Sequence, residues 1–89
     1  MTRASGWHIE LKFRESGAET RALALVRLPD GTELRADGHA DKHPDDPELP
    51  QVGEEIAAAR LLNGLAQQLL DKAAKDIEAV THSRASVRL

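Results

Sequence analysis

Histidine and aspartate side chains, which can bind metals or transfer protons, are concentrated in residues 39–55 of this 89-residue chain. His39 and His43 lie four residues apart with Asp41 between them. Imidazole nitrogens and carboxylate oxygens are ligands of Zn²⁺ and other divalent cations. A four-residue spacing brings two ligands together only on a helix, and Pro44 disfavours helical backbone in the residue before it. We therefore favour a solvated loop, predict no metal and no cofactor, and keep divalent-metal binding as the alternative.

Recognised catalytic motifs do not occur in the sequence. The chain has no Gly-rich phosphate loop, no H-E-x-x-H and no G-x-S-x-G. Because cysteine is absent, disulfides, thiolate metal sites and a cysteine nucleophile are excluded. The acids of residues 39–55 would need an enclosed cleft to act as general acid and base, and a small domain has few ways to form one. We predict that the protein is not an enzyme.

Size, charge and hydropathy limit the remaining classes of protein. The chain is long enough for one domain, 1–89. Its net charge of −3 disfavours nucleic acid as a partner, since nucleic-acid binders are usually basic. No apolar run approaches the ~20 residues of a membrane span, so we predict a cytoplasmic protein without a membrane partner. The aromatic content is only 2%, so small alanines must fill much of the core, and the elements must approach closely or pair with another subunit.

Three segments have the composition of β-strands, at about residues 6–15, 19–29 and 32–40. The first alternates apolar and polar residues without a break, which predicts a half-buried strand. The second is apolar on both faces in its middle, and the third is weaker. The residues of the first strand expected to face the core are Trp7, Ile9, Leu11 and Phe13.

Short connections between these strands predict an antiparallel meander. Pro29, Asp30 and Gly31 form a strong turn signal, because proline presets φ, aspartate bonds back to the backbone and glycine accepts a positive φ. Gly38, near the end of the third strand, indicates a bulge or a close approach of another backbone.

A long helical pattern follows, at about residues 54–81, after a structured proline-rich connection at 41–53. We expect Pro50 and Gly53 to delay the helix until Glu54. The apolar arc keeps its phase across Gly64, which favours one helix over two. The predicted arc contains Ala58, Ala59, Leu62, Leu65, Ala66, Leu69, Leu70, Ala73, Ile77 and Val80.

This helix is too long for the predicted sheet. It would extend ~40 Å, whereas an eight-residue strand spans ~26 Å. Part of the apolar arc therefore needs another cover, which we expect to be a second subunit, with a short strand in the 82–89 tail as the alternative. Leu49 and Val52 are expected to point inward and anchor the connection.

The face of the sheet away from the helix is the candidate binding surface. It has two leucines at its centre and basic residues around them, which allows three interpretations: a solvated face, a subunit interface with a charged rim, or a basic platform for anions or nucleic acid. The candidate residues are Arg14, Arg21, Leu23, Leu25, Arg27 and Arg35.

Several motifs resemble those of a known family. These are a Trp-led first strand, "DGTEL", "PELPQVGEEIAAARLLNGLA" and "DIEAV". Together they resemble a small actinobacterial family of uncharacterised proteins, of the mycobacterial domain-of-unknown-function type, with a double-stranded-RNA-binding-domain-like fold. The resemblance implies an antiparallel sheet with a packed helix and carries over no functional residues. Double-stranded-RNA binders hold phosphates at a basic helix N-terminus, whereas Asp45, Asp46, Glu48, Glu54 and Glu55 here would repel them.

The sequence thus predicts an α+β fold with a three-stranded meander and one long C-terminal helix. For function we predict a non-enzymatic interaction or regulatory module that acts as a homo-oligomer. The alternative is anion or nucleic-acid binding through the basic outer face of the sheet.

Overall fold

Three strands precede a single helix in the computed structural model, which describes residues 4–43, 45 and 49–89. The strands are β1 (His8–Ser16), β2 (Glu19–Arg27) and β3 (Glu33–Asp41), and the helix is α1 (Pro50–Thr81). The strands form one antiparallel sheet in the order β1-β2-β3. The predicted α+β class, with a meander followed by a long C-terminal helix, is confirmed.

Both strand connections are tight turns that the sequence specifies locally. Ser16 pairs with Glu19, so the first hairpin has a two-residue loop that begins at Gly17, whose φ is +59°. A glycine with positive φ at this position has the twist that joins antiparallel strands. In the second turn, the Gly31 N–H donates to the Leu28 carbonyl oxygen at 3.0 Å. The predicted turn there is confirmed.

The helix starts earlier than the sequence predicts. It begins at Pro50 rather than Glu54, so the expected delay by Pro50 and Gly53 is wrong. Proline fits the first helical position, because an N–H there would have no acceptor within the helix and its fixed φ is already helical. The sequence also predicts Asp46 and Pro47 as the N-cap and first position of a single helical turn before this helix, but these residues lie outside the described part of the chain.

The helix is continuous through Gly64, as predicted, and ends at Thr81. His82 follows in the left-handed conformation, and its backbone N–H donates to the Glu78 carbonyl oxygen at 2.8 Å. This arrangement satisfies one of the carbonyls that the last turn leaves without a partner.

Small side chains form much of the core between helix and sheet. Gly38 of β3 has the closest approach: a Cβ there would lie 2.5 Å from the Leu61 backbone nitrogen and closer still to the Ala57 carbonyl oxygen. The predicted close approach at this glycine is confirmed. The buried apolar residues are Ala22, Ala24, Val26, Leu28, Ala40, Ala57, Leu61 and Leu65.

The helix lies over β2 and β3 and barely contacts β1. A helix with its side chains is about 10–12 Å wide, and neighbouring strands are about 4.8 Å apart. One helix therefore covers about two strands. The helix packs on β2 and β3, whose inward positions include Ala and Gly, because these small residues let its backbone approach closely.

The first strand is consequently uncovered. Ile9, Leu11 and Phe13 pair with Val26, Ala24 and Ala22, so they lie on the helix side of the sheet. The exposed fractions are 51% for Trp7, 55% for Ile9, 36% for Leu11 and 37% for Phe13. The prediction that these four residues are buried in the core is wrong, because the helix is too narrow to reach them. We call Trp7, Ile9, Leu11 and Phe13 the β1 strip.

The predicted apolar arc of the helix is also displaced. The buried positions centre on Ala57, Leu61 and Leu65, whereas Leu62 is exposed. Leu49 and Val52, expected to anchor the connection inside, are exposed as well. The remaining exposed apolar side chains of the predicted arc are Ala59, Ile77 and Val80.

The C-terminal tail forms no strand in the part of the chain that the structure describes. It turns back beside the helix, where the Ala85 N–H donates to the Glu78 side chain at 2.9 Å. A shallow hollow separates the tail from Leu70 and Ala74. The tail thus borders the helix rather than extending the sheet.

Candidate interaction surface

Exposed apolar residues lie on the helix side of the sheet in two places, the β1 strip and one residue of the helix. Arg60 and Leu62 lie about 100° to either side of Leu61 around the helix. Because Arg60 reaches the outer edge of β3, Leu62 lies on the flank toward β1. Leu62 is 51% exposed and lies on the side of the helix nearer the β1 strip.

The two edges of the sheet differ in how their backbone groups are satisfied. On β3, Arg60 donates to the His39 carbonyl oxygen at 2.7 Å. Gln68 donates to the Arg35 carbonyl oxygen at 2.8 Å. Within the described residues, no side chain bonds to the backbone of β1 in this way. The β1 edge is therefore the open edge of the sheet.

The predicted outer-face residues do share one face. Leu25 of β2 lies between Glu10 and Arg35, and Leu23 lies between Lys12 and Asp37. Both leucines are half-buried by these longer neighbours and line a shallow hollow. The two leucines are thus partly shielded from solvent by charged side chains within the same chain.

Most basic groups of this face are paired with acids. Arg21 bonds to Asp37 at 2.9 Å and lies 3.5 Å from Glu19. Arg27 and Arg35 share Glu33, at 3.4 and 3.7 Å. These exposed pairs contribute little stability, but they reduce the positive field that would attract a phosphate backbone.

One cross-strand row remains basic. Arg14 lies opposite Arg21, which in turn lies opposite His39. Arg14 has no ion-pair partner among the residues described. Within this row, Arg14 is the residue of the predicted basic platform that keeps an uncompensated charge.

The histidines and aspartates of the candidate metal site are exposed at the end of β3 and just after it. His39 lies 3.8 Å from Asp41, and His43 lies 3.7 Å from Asp45. The Asp41 and Asp45 side chains are 69% and 90% exposed. In residues 4–43, 45 and 49–89, no group of three or more His, Cys, Asp or Glu side chains has the arrangement of a metal site.

A cleft of about 500 Å³ opens where the helix begins. The β1–β2 hairpin forms one side, with Gly17 and Thr20, and the first helical turns form the other, with Val52 and Ile56. The helix is close to the sheet here, because a Cβ on Gly53 would lie 2.8 Å from the Thr20 hydroxyl oxygen.

An ion-pair triad connects the helix to the opposite end of the sheet. Lys72 bonds to Asp30 in the β2–β3 turn and to Asp76 on its own helix, each at 2.8 Å. The hydrogen bond from Lys72, assisted by the Thr32 N–H, holds the pKa of Asp30 well below its usual range. The bonds to Asp30 and then Asp76 raise the pKa of Lys72. Residues 73–81 continue the helix beyond this point.

Sequence and structure comparisons agree on a family. The family model described as "Rv2632c-like" matches residues 5–86. The chain belongs to the Rv2632c-like family. Uncharacterized protein MT1780 of Mycobacterium tuberculosis (strain CDC 1551 / Oshkosh) is 37% identical over 79 residues, which cover 89% of this chain and 83% of that protein. Uncharacterized protein Rv2632c of M. tuberculosis (strain ATCC 25618 / H37Rv) is 38% identical over 74 residues, covering 83% and 78%.

The fold of this Rv2632c-like chain also matches a solved structure. The crystal structure of Rv2632c superposes with a TM-score of 0.83 at 34% sequence identity, covering 92% of this chain and 96% of that one. The predicted membership of a mycobacterial family of uncharacterised proteins is confirmed. The double-stranded-RNA-binding-domain-like label stays a prediction.

In the described part of the chain, no helix has the length and apolar character needed to cross a membrane.

The exposed β1 strip is the feature that sequence reasoning missed. A signal was present: the inward positions of β2 and β3 are mostly Ala and Gly, whereas those of β1 are large. Small residues mark the place where a helix can approach closely, and large ones mark where it cannot.

Proposed function

We propose that this protein is a non-enzymatic interaction or regulatory module that acts as a homo-oligomer. The observation that carries the proposal is the β1 strip, a row of exposed large apolar residues of which Ile9, Leu11 and Phe13 lie on the helix side of the sheet. Contiguous exposed apolar surface of this kind marks interaction sites in soluble proteins.

A second copy of the chain is the partner we propose. Half of the buried core residues are alanine, and a chain of this length buries only a modest fraction of its surface by itself. Covering the β1 strip in an oligomer would extend that core. The interface moves in this proposal from the outer face, where Leu23 and Leu25 are partly shielded, to the helix side.

The non-enzymatic part of the proposal rests on the acidic stretch. Two of its described carboxylates are largely exposed: Asp41 borders the open cleft at the start of the helix with its side chain 69% exposed, and the Asp45 side chain is 90% exposed. A carboxylate that acts as a general acid usually needs burial or a like-charged neighbour to shift its pKa.

Analytical ultracentrifugation over a range of concentrations tests the proposal. We expect the wild-type chain of 9.7 kDa to sediment as an oligomer at micromolar concentration, and Leu11→Glu to shift it to monomer. Leu23→Glu is the matched control on the outer face and should leave the association intact. A wild-type monomer at every concentration contradicts the proposal, and dissociation by Leu23→Glu alone would place the interface on the outer face.

Anion or nucleic-acid binding remains the second candidate, because Arg14, Arg21 and His39 form a basic row. It predicts binding of mixed RNA or DNA at low salt, an affinity that falls steeply as salt rises, and weaker binding by Arg14→Ala. No binding at low salt would eliminate this candidate.

A further inference from the structure

The β1 edge has a defined pattern of free backbone groups. The Arg35 carbonyl accepts a hydrogen bond from the helix, so it points away from β2. Leu25 of β2 lies opposite Arg35, so the N–H and C=O groups of Leu25 point toward β1, where Leu25 pairs with Glu10. Because bonded and free positions alternate along an antiparallel strand, the even-numbered residues of β1 bond to β2. Ile9, Leu11 and Phe13 therefore direct their N–H and C=O groups to the open edge.

We infer that β1 pairs antiparallel with β1 of a second copy, with Leu11 opposite Leu11, to form a continuous six-stranded sheet. This inference rests on the proposed homo-oligomer and specifies its geometry. An isologous two-fold contact of this kind closes on itself and leaves no further β1 edge open.

The free backbone groups and the apolar side chains of β1 both require odd-numbered residues of one copy to face odd-numbered residues of the other. Free backbone groups lie on the odd-numbered residues of β1, and so does the β1 strip. Pairing odd residues with odd residues therefore forms the hydrogen bonds and places both strips on one side of the joined sheet. A shift by one residue would lose both, since successive side chains point to opposite faces.

Charge on the opposite side favours one register among those that remain. With Leu11 opposite Leu11, Glu10 of each copy faces Lys12 of the other, at positions where side chains are closest. Within one chain, these two groups already lie 3.2 Å apart. Shifting the register by two residues in one direction brings Lys12 against Lys12, although Glu10 then faces Arg14, and in the other direction it brings Glu10 against Glu10. Either shift places like charges directly opposite, which is destabilising.

The proposed register also matches the side chains of the β1 strip. Ile9 of each copy lies opposite Phe13 of the other, which is an aromatic–β-branched pair favoured across strands. The two helices then border the joined strips from both sides. The β3 edge is a poorer choice, because Arg60 and Gln68 occupy its carbonyls at His39 and Arg35.

Cysteine cross-linking tests the register, and the chain contains no native cysteine to interfere. Positions 10 and 12 of opposite copies would have Cα atoms about 4.5 Å apart, within the range of a disulfide. We expect a mixture of Glu10→Cys and Lys12→Cys chains to form the mixed disulfide under mild oxidation. Each variant alone should cross-link poorly, because the diagonal neighbours are about 7–8 Å apart. Arg35→Cys, on the outer face of β3, is the control for random collision.

Charge reversal provides a second measurement that needs no oxidation. We expect Glu10→Lys and Lys12→Glu each to weaken self-association by about tenfold, because two attractive pairs become repulsive. Mixing these two variants should restore association as a heterodimer, and so should the double variant E10K/K12E. Circular dichroism of each variant verifies that it is folded.

The outcomes separate this inference from the proposed function. A mixed disulfide above the control level, together with restored association in the mixture, supports the β1–β1 pairing. Self-linking of Glu10→Cys or Lys12→Cys overturns the register. An oligomeric wild type that gives no mixed disulfide overturns the inference and leaves the proposed homo-oligomer standing. A wild type that is monomeric overturns both.

Discussion

Strands β1 and β3 are both edge strands of the same sheet, yet only β3 lies under the helix. The helix side of β3 holds Gly38 between Ala36 and Ala40, and helix side chains bond to its edge carbonyls. The helix side of β1 holds Ile9, Leu11 and Phe13, all of them exposed. Small residues on β3 allow the helix backbone to pack closely against that strand. The large residues on β1 stay uncovered and are available to a partner.

Gly38 gives the sharpest test of this difference. Gly38→Ala should destabilise the fold by about 3 kcal/mol, at the upper end of the usual cost of overpacking, because the new methyl would overlap the helix backbone at Ala57 and Leu61. Chemical denaturation measures the loss.

Gly64→Ala is the matched control. Nothing lies within 4 Å of a Cβ at Gly64, so this change should stabilise the helix by about 1 kcal/mol. If Gly38→Ala were as well tolerated as Gly64→Ala, the close approach of helix and β3 would be wrong.

Two leucines on the same side of the sheet should respond very differently to truncation. Leu61→Ala removes a fully buried side chain and should cost roughly 2–5 kcal/mol. Leu11→Ala removes a side chain of the β1 strip and should cost about 1 kcal/mol or less in dilute monomer. Denaturation at low protein concentration compares them. Equal losses would mean that Leu11 is part of the monomer core.

The bonds that satisfy the β3 edge should have a smaller effect. Gln68→Ala leaves the Arg35 carbonyl without its 2.8 Å partner, and we expect a loss of about 1 kcal/mol. Gln67→Ala is the control, because Gln67 bonds to Asp71 on its own helix and does not reach the sheet. Urea denaturation measures the free energy of unfolding of both variants. Equal values would show that the bond from Gln68 to the Arg35 carbonyl adds no stability.

The Lys72–Asp30 ion pair should contribute the least, and its contribution should depend on pH. The pKa of Asp30 is lower in the folded chain than its ordinary value of about 3.9. Its contribution is therefore complete above about pH 4 and is lost as the pH falls through the folded pKa. We expect Asp30→Asn to be less stable than wild type at neutral pH and to converge with it on acidification.

Thermal melts of both proteins between about pH 2 and pH 7 test this prediction. Asp76→Asn is the control, since it removes a carboxylate from Lys72 but keeps the link between helix and sheet. A difference between wild type and Asp30→Asn that does not change with pH would contradict it.

The sequence by itself determined the elements and their order. The period-two pattern, the turn at Pro29, Asp30 and Gly31, and the long helical pattern through Gly64 depend on neighbouring residues, and the structure has all three. The close approach at Gly38 could also be predicted, because a glycine inside a strand indicates a bulge or another backbone nearby.

Only the tertiary structure decided which strands lie under the helix. That choice depends on the width of a helix relative to three strands and on contacts between distant parts of the chain, such as Gly38 with Leu61. Alternation in β1 shows which residues share a face, but it does not show whether anything covers that face. Leu49 and Val52 are exposed, and the sequence did not show this for the same reason: an apolar side chain does not reveal whether another element covers it.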